Sequence, residues 1–96
     1  MKRDQISLIK KIILPILKKN DVIKAGIFGS YARGEAKKKS DVDVVIKFKG
    51  RKSLYDLARL ELELEKNLRR RVDVLTYQSV CPLLKERILG EEVRIL

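Results

Sequence analysis

Histidine and tryptophan are absent from this chain, cysteine occurs once, and only 5% of the residues are aromatic. Without histidine, no Cys-His nucleophile can be assembled. Any bound metal must be held by oxygen ligands, which selects Mg²⁺, Mn²⁺ or Ca²⁺ over zinc. The lone Cys81 excludes an intramolecular disulfide and an all-cysteine metal site. Standing beside Pro82, it reads as a packing residue. The scarcity of aromatics leaves little surface on which to stack a nucleobase. Long apolar runs are missing too: Ile12 to Leu17 is far too short to span a bilayer and is flanked by lysines. No secretory leader is expected, and the protein reads as cytoplasmic, with no membrane partner.

What is present is charge. Lys and Arg outnumber Asp and Glu by 23 to 13, for a net charge of +10 over 96 residues. That excess favours polyanionic partners such as nucleic acid, nucleotide phosphates or an acidic protein; it equally describes a solvated basic surface. With 45% apolar residues, the composition is that of a globular chain, and its length suits one domain over residues 1–96 with one modest core.

Ile6, Ile9, Ile13, Ile16 and Leu17 recur at helical spacing over residues 4–19, with Pro15 expected to kink or restart that helix. Val22 to Phe28 reads as a short buried strand, and Asp41 to Phe48 as a second. In the latter, Val42, Val44, Ile46 and Phe48 alternate onto one face, opposite Asp41, Asp43, Val45 and Lys47. Ser53 to Asp56 has the form of a capping box. The helix behind it is expected to run to about Arg70, with Leu57, Leu60, Leu64 and Leu68 as its apolar stripe. Val72 to Thr76 reads as a third strand and Leu83 to Leu89 as a last short helix. The expected fold is α/β (α+β), a small mixed β-sheet with helices packed on it, in the order α-β-α-β-α-β-α.

Three features carry chemistry. Asp41 and Asp43 lie two apart on a strand, so both carboxylates point to one face; like charges so close invite a divalent cation between them. Alternatively they form an exposed face countered by Lys37, Lys38 and Lys39. Gly29-Ser30 follows a buried strand, where a glycine admits close backbone approach and the start of a helical turn favours anions. Arg33, one turn on, could reach phosphate oxygens. The plainer reading of Gly29-Ser30 is a strand-to-helix turn with a serine cap. Asp73 interrupts an apolar strand; it either joins the same site or pairs with Arg69, Arg70 or Arg71.

The run Gly29-Ser30-Tyr31-Ala32-Arg33-Gly34-Glu35-Ala36, followed by Ser40-Asp41-Val42-Asp43, resembles the DNA polymerase β-type nucleotidyltransferase superfamily. Its pattern is Gly-Ser, about ten residues, then Asp-x-Asp, and ten residues separate Ser30 from Asp41 here. The chain is most similar to the minimal nucleotidyltransferases, a stand-alone bacterial and archaeal group of about this length, and the likeness covers essentially the whole chain. The resemblance implies a polymerase-β-like nucleotidyltransferase fold and binding of ATP or another NTP. Gly29 and Ser30 would hold the triphosphate with help from Arg33. Asp41 and Asp43 would bind two Mg²⁺ ions (or Mn²⁺). Asp73 would share a metal and help activate the acceptor hydroxyl, which attacks the α-phosphate and releases pyrophosphate.

Minimal domains of this kind usually pair with a small helical HEPN-type protein, an RNase toxin, onto whose tyrosine they can transfer AMP as antitoxins. The resemblance therefore implies a metal-dependent protein adenylyltransferase. Two other readings stay open: an antitoxin that neutralises its partner by binding alone, and a basic nucleic-acid-binding module. The charge favours the latter, but no recognition helix, aromatic platform or nucleic-acid motif accompanies it.

Overall fold

The computed structural model of the chain describes residues 2–34 and 41–96, with side chains from Gln5 onward in the first segment. Helix α1 (Lys2–Lys19) follows from its apolar period: Ile9, Ile13, Ile16 and Leu17 are buried, and Lys10, Lys11, Lys18 and Lys19 are exposed. The helix runs unbroken through Pro15, contrary to the expectation of a restart. Pro15 and Lys11 both lie on the exposed side of the helix, where water can serve the Lys11 carbonyl that proline leaves without a partner N–H. The Asn20 side-chain amide donates to the Ile16 carbonyl at 2.7 Å, and Asp21, with φ of 63°, turns the backbone into strand β1 (Val22–Phe28).

A four-residue helix, α2 (Ser30–Arg33), leads away from β1. Strand β2 (Val42–Phe48) returns antiparallel to β1, then helix α3 (Leu54–Leu68) crosses over to strand β3 (Val72–Thr76), which lies parallel to β2. The capping box is present: the Asp56 N–H donates to Ser53 Oγ at 3.2 Å, and the Ser53 N–H donates to the Asp56 carboxylate at 2.9 Å. Helix α3 stops at Leu68, slightly before the expected end, because Arg69 takes a left-handed conformation with φ of 55°. Helix α4 (Pro82–Glu91) and a two-residue strand β4 (Val93–Arg94) complete the chain, and the sheet order is β3-β2-β1-β4.

The sheet's two faces have different fates. Helices α1 and α3 cover one, where Ala25, Ile27, Val42, Val44 and Ile46 meet Ile13, Leu17, Leu60 and Leu64 in the main core. Each fully buried aliphatic side chain there contributes roughly 1.5–3 kcal/mol. Helix α4 and the turn before it cover part of the other face by setting Ile88 and Val80 on Val45, which leaves the end bearing Asp43 open. The outer edge of β3 is protected by α3, whose Glu65 and Glu61 carboxylates accept the Val72 and Val74 N–H groups at 3.1 and 3.4 Å. Bonded this way, an edge strand has no free donors at those positions to offer another chain.

Three expectations are corrected. Cys81 is exposed at the N-cap of α4 and is not a packing residue; Pro82 and the apolar docking of α4 behind it fix its position. Asp41 stands one residue before β2, since the β2–β3 ladder opens at Val42, whose N–H donates to the Arg71 carbonyl at 2.9 Å. Strand β4 was not anticipated: two residues are too few to show alternation, and it exists because it pairs with Gly26 and Ile27. Lys37, Lys38, Lys39 and the rest of residues 35–40 lie outside the described residues. Among the described residues, no helix is long and apolar enough to cross a membrane.

Candidate active site

Strand β1 ends at Phe28, and the next residue, Gly29, has φ 72° and ψ −148°. This is a region open essentially to glycine alone. A second constraint acts on the same residue. Phe28 pairs with Asp43 across the β1–β2 ladder, which brings Gly29 against the Asp43 side chain. A Cβ on Gly29 would stand 2.3 Å from Asp43 Oδ2. Gly29, not Ser30, therefore caps α2, and Ser30 is the first residue of the helix.

The parallel register of β2 and β3 sets Asp43 directly beside Asp73. Asp43 is half-buried, and Asp41 and Asp73 are exposed. Burial first, then the charges of Asp73 and Asp41 and a hydrogen bond with Asp73, push the Asp43 pKa up from 3.8 to about 6, while Arg33 pulls it the other way. Of the arginines upstream of Asp73, Arg70 is engaged elsewhere: its guanidinium donates to the hydroxyl of Tyr31, which is buried just after Ser30.

An open cavity of about 540 Å³ collects most of these groups. Gly29, Ser30, Arg33, Asp41 and Asp43 form its polar wall, and Phe28, Leu75, Leu84 and Ile88 its apolar one. Arg87 and Glu91 of α4 also line it. Asp73 does not line the cavity; it reaches the site through Asp43. Among the described residues, no three His, Cys, Asp or Glu side chains stand in an arrangement that would hold an ion as they are. Asp43 instead stands in register beside Asp73, and burial together with that neighbouring charge disfavours its ionised form.

The raised pKa gives a measurable consequence. The folded protein holds the Asp43 proton more tightly than the unfolded chain, so the stability this group contributes is complete below 3.8 and is lost as pH rises through about 6. Without divalent cations, the Tm is expected to fall across that window relative to Asp43→Asn. Parallel curves for the two proteins would show that Asp43 is not perturbed.

A closed Gly-Ser turn set against two register-paired carboxylates is suited to holding a phosphate chain beside oxygen ligands for a cation. The family model described as polymerase β, nucleotidyltransferase, matches residues 10–96. The chain belongs to this family. A Methanocaldococcus jannaschii protein named "putative protein adenylyltransferase" is 56% identical over 91 residues, 95% of this chain and 98% of the relative. The protein adenylyltransferase MntA of Thermococcus cleftensis is 40% identical over 74 residues, 77% of this chain and 75% of its own. A solved "putative minimal nucleotidyltransferase" superposes with a TM-score of 0.81 at 33% identity, over 97% of this chain and 95% of its own. At 18% identity, the complex of a tri-AMPylated Shewanella oneidensis HEPN toxin with its MNT antitoxin shares the fold, with a TM-score of 0.76 over 100% of this chain and 72% of the matched chain. This nucleotidyltransferase thus has the small mixed sheet and packed helices expected of a minimal member of the family.

Of the residues singled out from sequence, Gly29, Ser30, Arg33, Asp41 and Asp43 share the cavity, and Asp73 adjoins it. The α4 wall was missed. Arg87 and Glu91 lie at (i, i+4) on that helix and are joined at 3.3 Å, a spacing visible in the sequence, but nothing local says which surface the pair would face.

Proposed function

We propose that this nucleotidyltransferase transfers AMP from ATP to a tyrosine hydroxyl of a HEPN-type protein partner, and acts as that partner's antitoxin. The observation that carries the reading is the β1–β2–β3 register, which brings the Gly29-Ser30 turn, Asp43 and Asp73 to one end of the sheet. The adenylyltransferase names of the relatives and the AMPylated toxin in the structural neighbour support the nucleotide and the acceptor.

Gly29 and Ser30 hold the triphosphate through backbone N–H groups and the serine hydroxyl, and Arg33 takes phosphate oxygens as a planar guanidinium. Asp41, Asp43 and Asp73 would hold Mg²⁺, or Mn²⁺, in an all-oxygen site. The fit rests on the donor set: three carboxylates, one of them pushed up to about 6 by burial and by the other two, are relieved by a cation held among them. When bound, the ions neutralise phosphate charge and lower the pKa of the acceptor hydroxyl. Asp73 takes the hydroxyl proton. The tyrosine oxygen forms its bond to the α-phosphorus in line with the leaving group, the bond from that phosphorus to the bridging oxygen breaks, and pyrophosphate departs. Positioning and charge neutralisation supply most of the acceleration.

The test uses ATP labelled at the α- or γ-phosphate, with Mg²⁺ and lysate from the source organism or a purified HEPN-type partner. Label is expected to move from the α position only and to be found on a partner tyrosine. Transfer from the γ position would make the protein a kinase. Neutralisation of a purified partner with no transfer from either position would make it an antitoxin that acts by binding.

A further inference from the structure

The α4 side of the cavity holds two residues, Arg87 and Glu91, that the nucleotide reading above does not use. The Glu91 carboxylate lies between two guanidiniums from different elements. One oxygen accepts from Arg33 Nη1 at 3.1 Å, and the other accepts from Arg87 Nε at 3.3 Å. Partial desolvation raises the Glu91 pKa, but the hydrogen bond from Arg87 and the charges of Arg33 and Arg87 hold it below the usual carboxylate range. An exposed (i, i+4) pair on a helix is ordinary and worth little. Here the carboxylate also bridges α4 to α2, and all three side chains line the cavity that contains Ser30, Asp41 and Asp43. Helix α4 is seated on the sheet through Ile88, beside Val80 of the preceding turn, against Val45, so Arg87 is carried by a docked element.

We propose that Arg87 is a second guanidinium contact for the phosphate chain of a nucleoside triphosphate, paired with Arg33, and that Glu91 occupies both until the nucleotide displaces it. Guanidinium matches phosphate as well as carboxylate in geometry, and a triphosphate brings several negative charges against the single charge of Glu91. The nucleotide thus takes over a pre-aligned pair of arginines. Glu91 is a positioning residue: it holds two like charges side by side and yields them to a stronger anion.

The inference rests on the nucleotide reading of this site, and the experiment separates the two. Binding of a non-hydrolysable ATP analogue and of AMP is measured with Mg²⁺ for the wild type, Arg87→Ala and Glu91→Gln. In Arg87→Ala the Kd of the analogue is expected to rise about tenfold, in line with loss of a hydrogen bond to a charged group. AMP, which lacks the outer phosphates, is expected to change less than twofold. In Glu91→Gln, which keeps the side-chain shape and removes the competing charge, the analogue is expected to bind several-fold more tightly. Unchanged analogue binding in Arg87→Ala, or equal losses for both nucleotides, overturns the assignment of Arg87. Unchanged or weaker binding in Glu91→Gln overturns the role of Glu91. Wild type that binds neither nucleotide overturns the reading of the site itself.

Discussion

Asp43→Asn is expected to abolish nucleotidyl transfer, by about 10³-fold or more, while leaving the protein folded. Asp43 is the group on which the site converges: half-buried, paired in register with Asp73, and close enough to Gly29 that a methyl group there would strike its carboxylate. Asparagine keeps the shape and loses the charge that a divalent cation needs. The same change removes a carboxylate whose ionised form is disfavoured by burial and by Asp73 and Asp41. Without metal, the variant should therefore melt no lower than the wild type at pH 7, and higher if the like charges dominate. Mg²⁺ should raise the Tm of the wild type and not of the variant. The measurements are α-label transfer and thermal melts with and without Mg²⁺; retained transfer in a folded variant would remove Asp43 from the metal assignment.

Gly29→Ala is expected to damage both stability and activity, and a control within the same protein separates two causes. Any L residue at φ 72°, ψ −148° is strained by about 1–3 kcal/mol. The added Cβ would also meet Asp43 Oδ2 at 2.3 Å, so either the turn or the carboxylate must move. A displacement of about 1 Å at a reacting centre can cost about 10²-fold in rate. Gly50 also has φ of 72°, but a Cβ there meets nothing within 4 Å. Gly50→Ala should lose stability from backbone strain alone and keep full transfer activity. Urea denaturation and the transfer assay on both variants make the comparison. Equal activity in the two would mean that the contact between Gly29 and Asp43 is unimportant for catalysis.

Much of this molecule is written in short-range pattern. The 3.6-residue spacing of Ile9, Ile13, Ile16 and Leu17, and of Leu60, Leu64 and Leu68, specified two helices and the sides they bury. The alternation of Val42, Val44 and Ile46 with Asp43 and Val45 specified a strand and its faces, and Ser53 with Asp56 marked a helix start. The pairing of Gly-Ser with Asp-x-Asp pointed to the site, because each element of that motif is a local feature with a chemical use. The restart expected at Pro15 and the packing role expected of Cys81 went astray for the opposite reason. Whether a proline is tolerated in a helix depends on the solvent beside its orphaned carbonyl, and whether a cysteine is buried depends on what packs over it.

What local pattern determined is therefore the main helices, the three longer strands, and the residue types available for phosphate and metal chemistry. Tertiary structure alone decided that Asp43 lies beside Asp73 and not one residue away, that Gly29 abuts Asp43, and that α4 carries Arg87 and Glu91 across to Arg33. Those outcomes depend on strand register and on helix docking between segments far apart in the chain. A strand shifted by one residue turns every side chain to the other face, so the site exists only in the register that buries Val42, Val44 and Ile46 against α1 and α3.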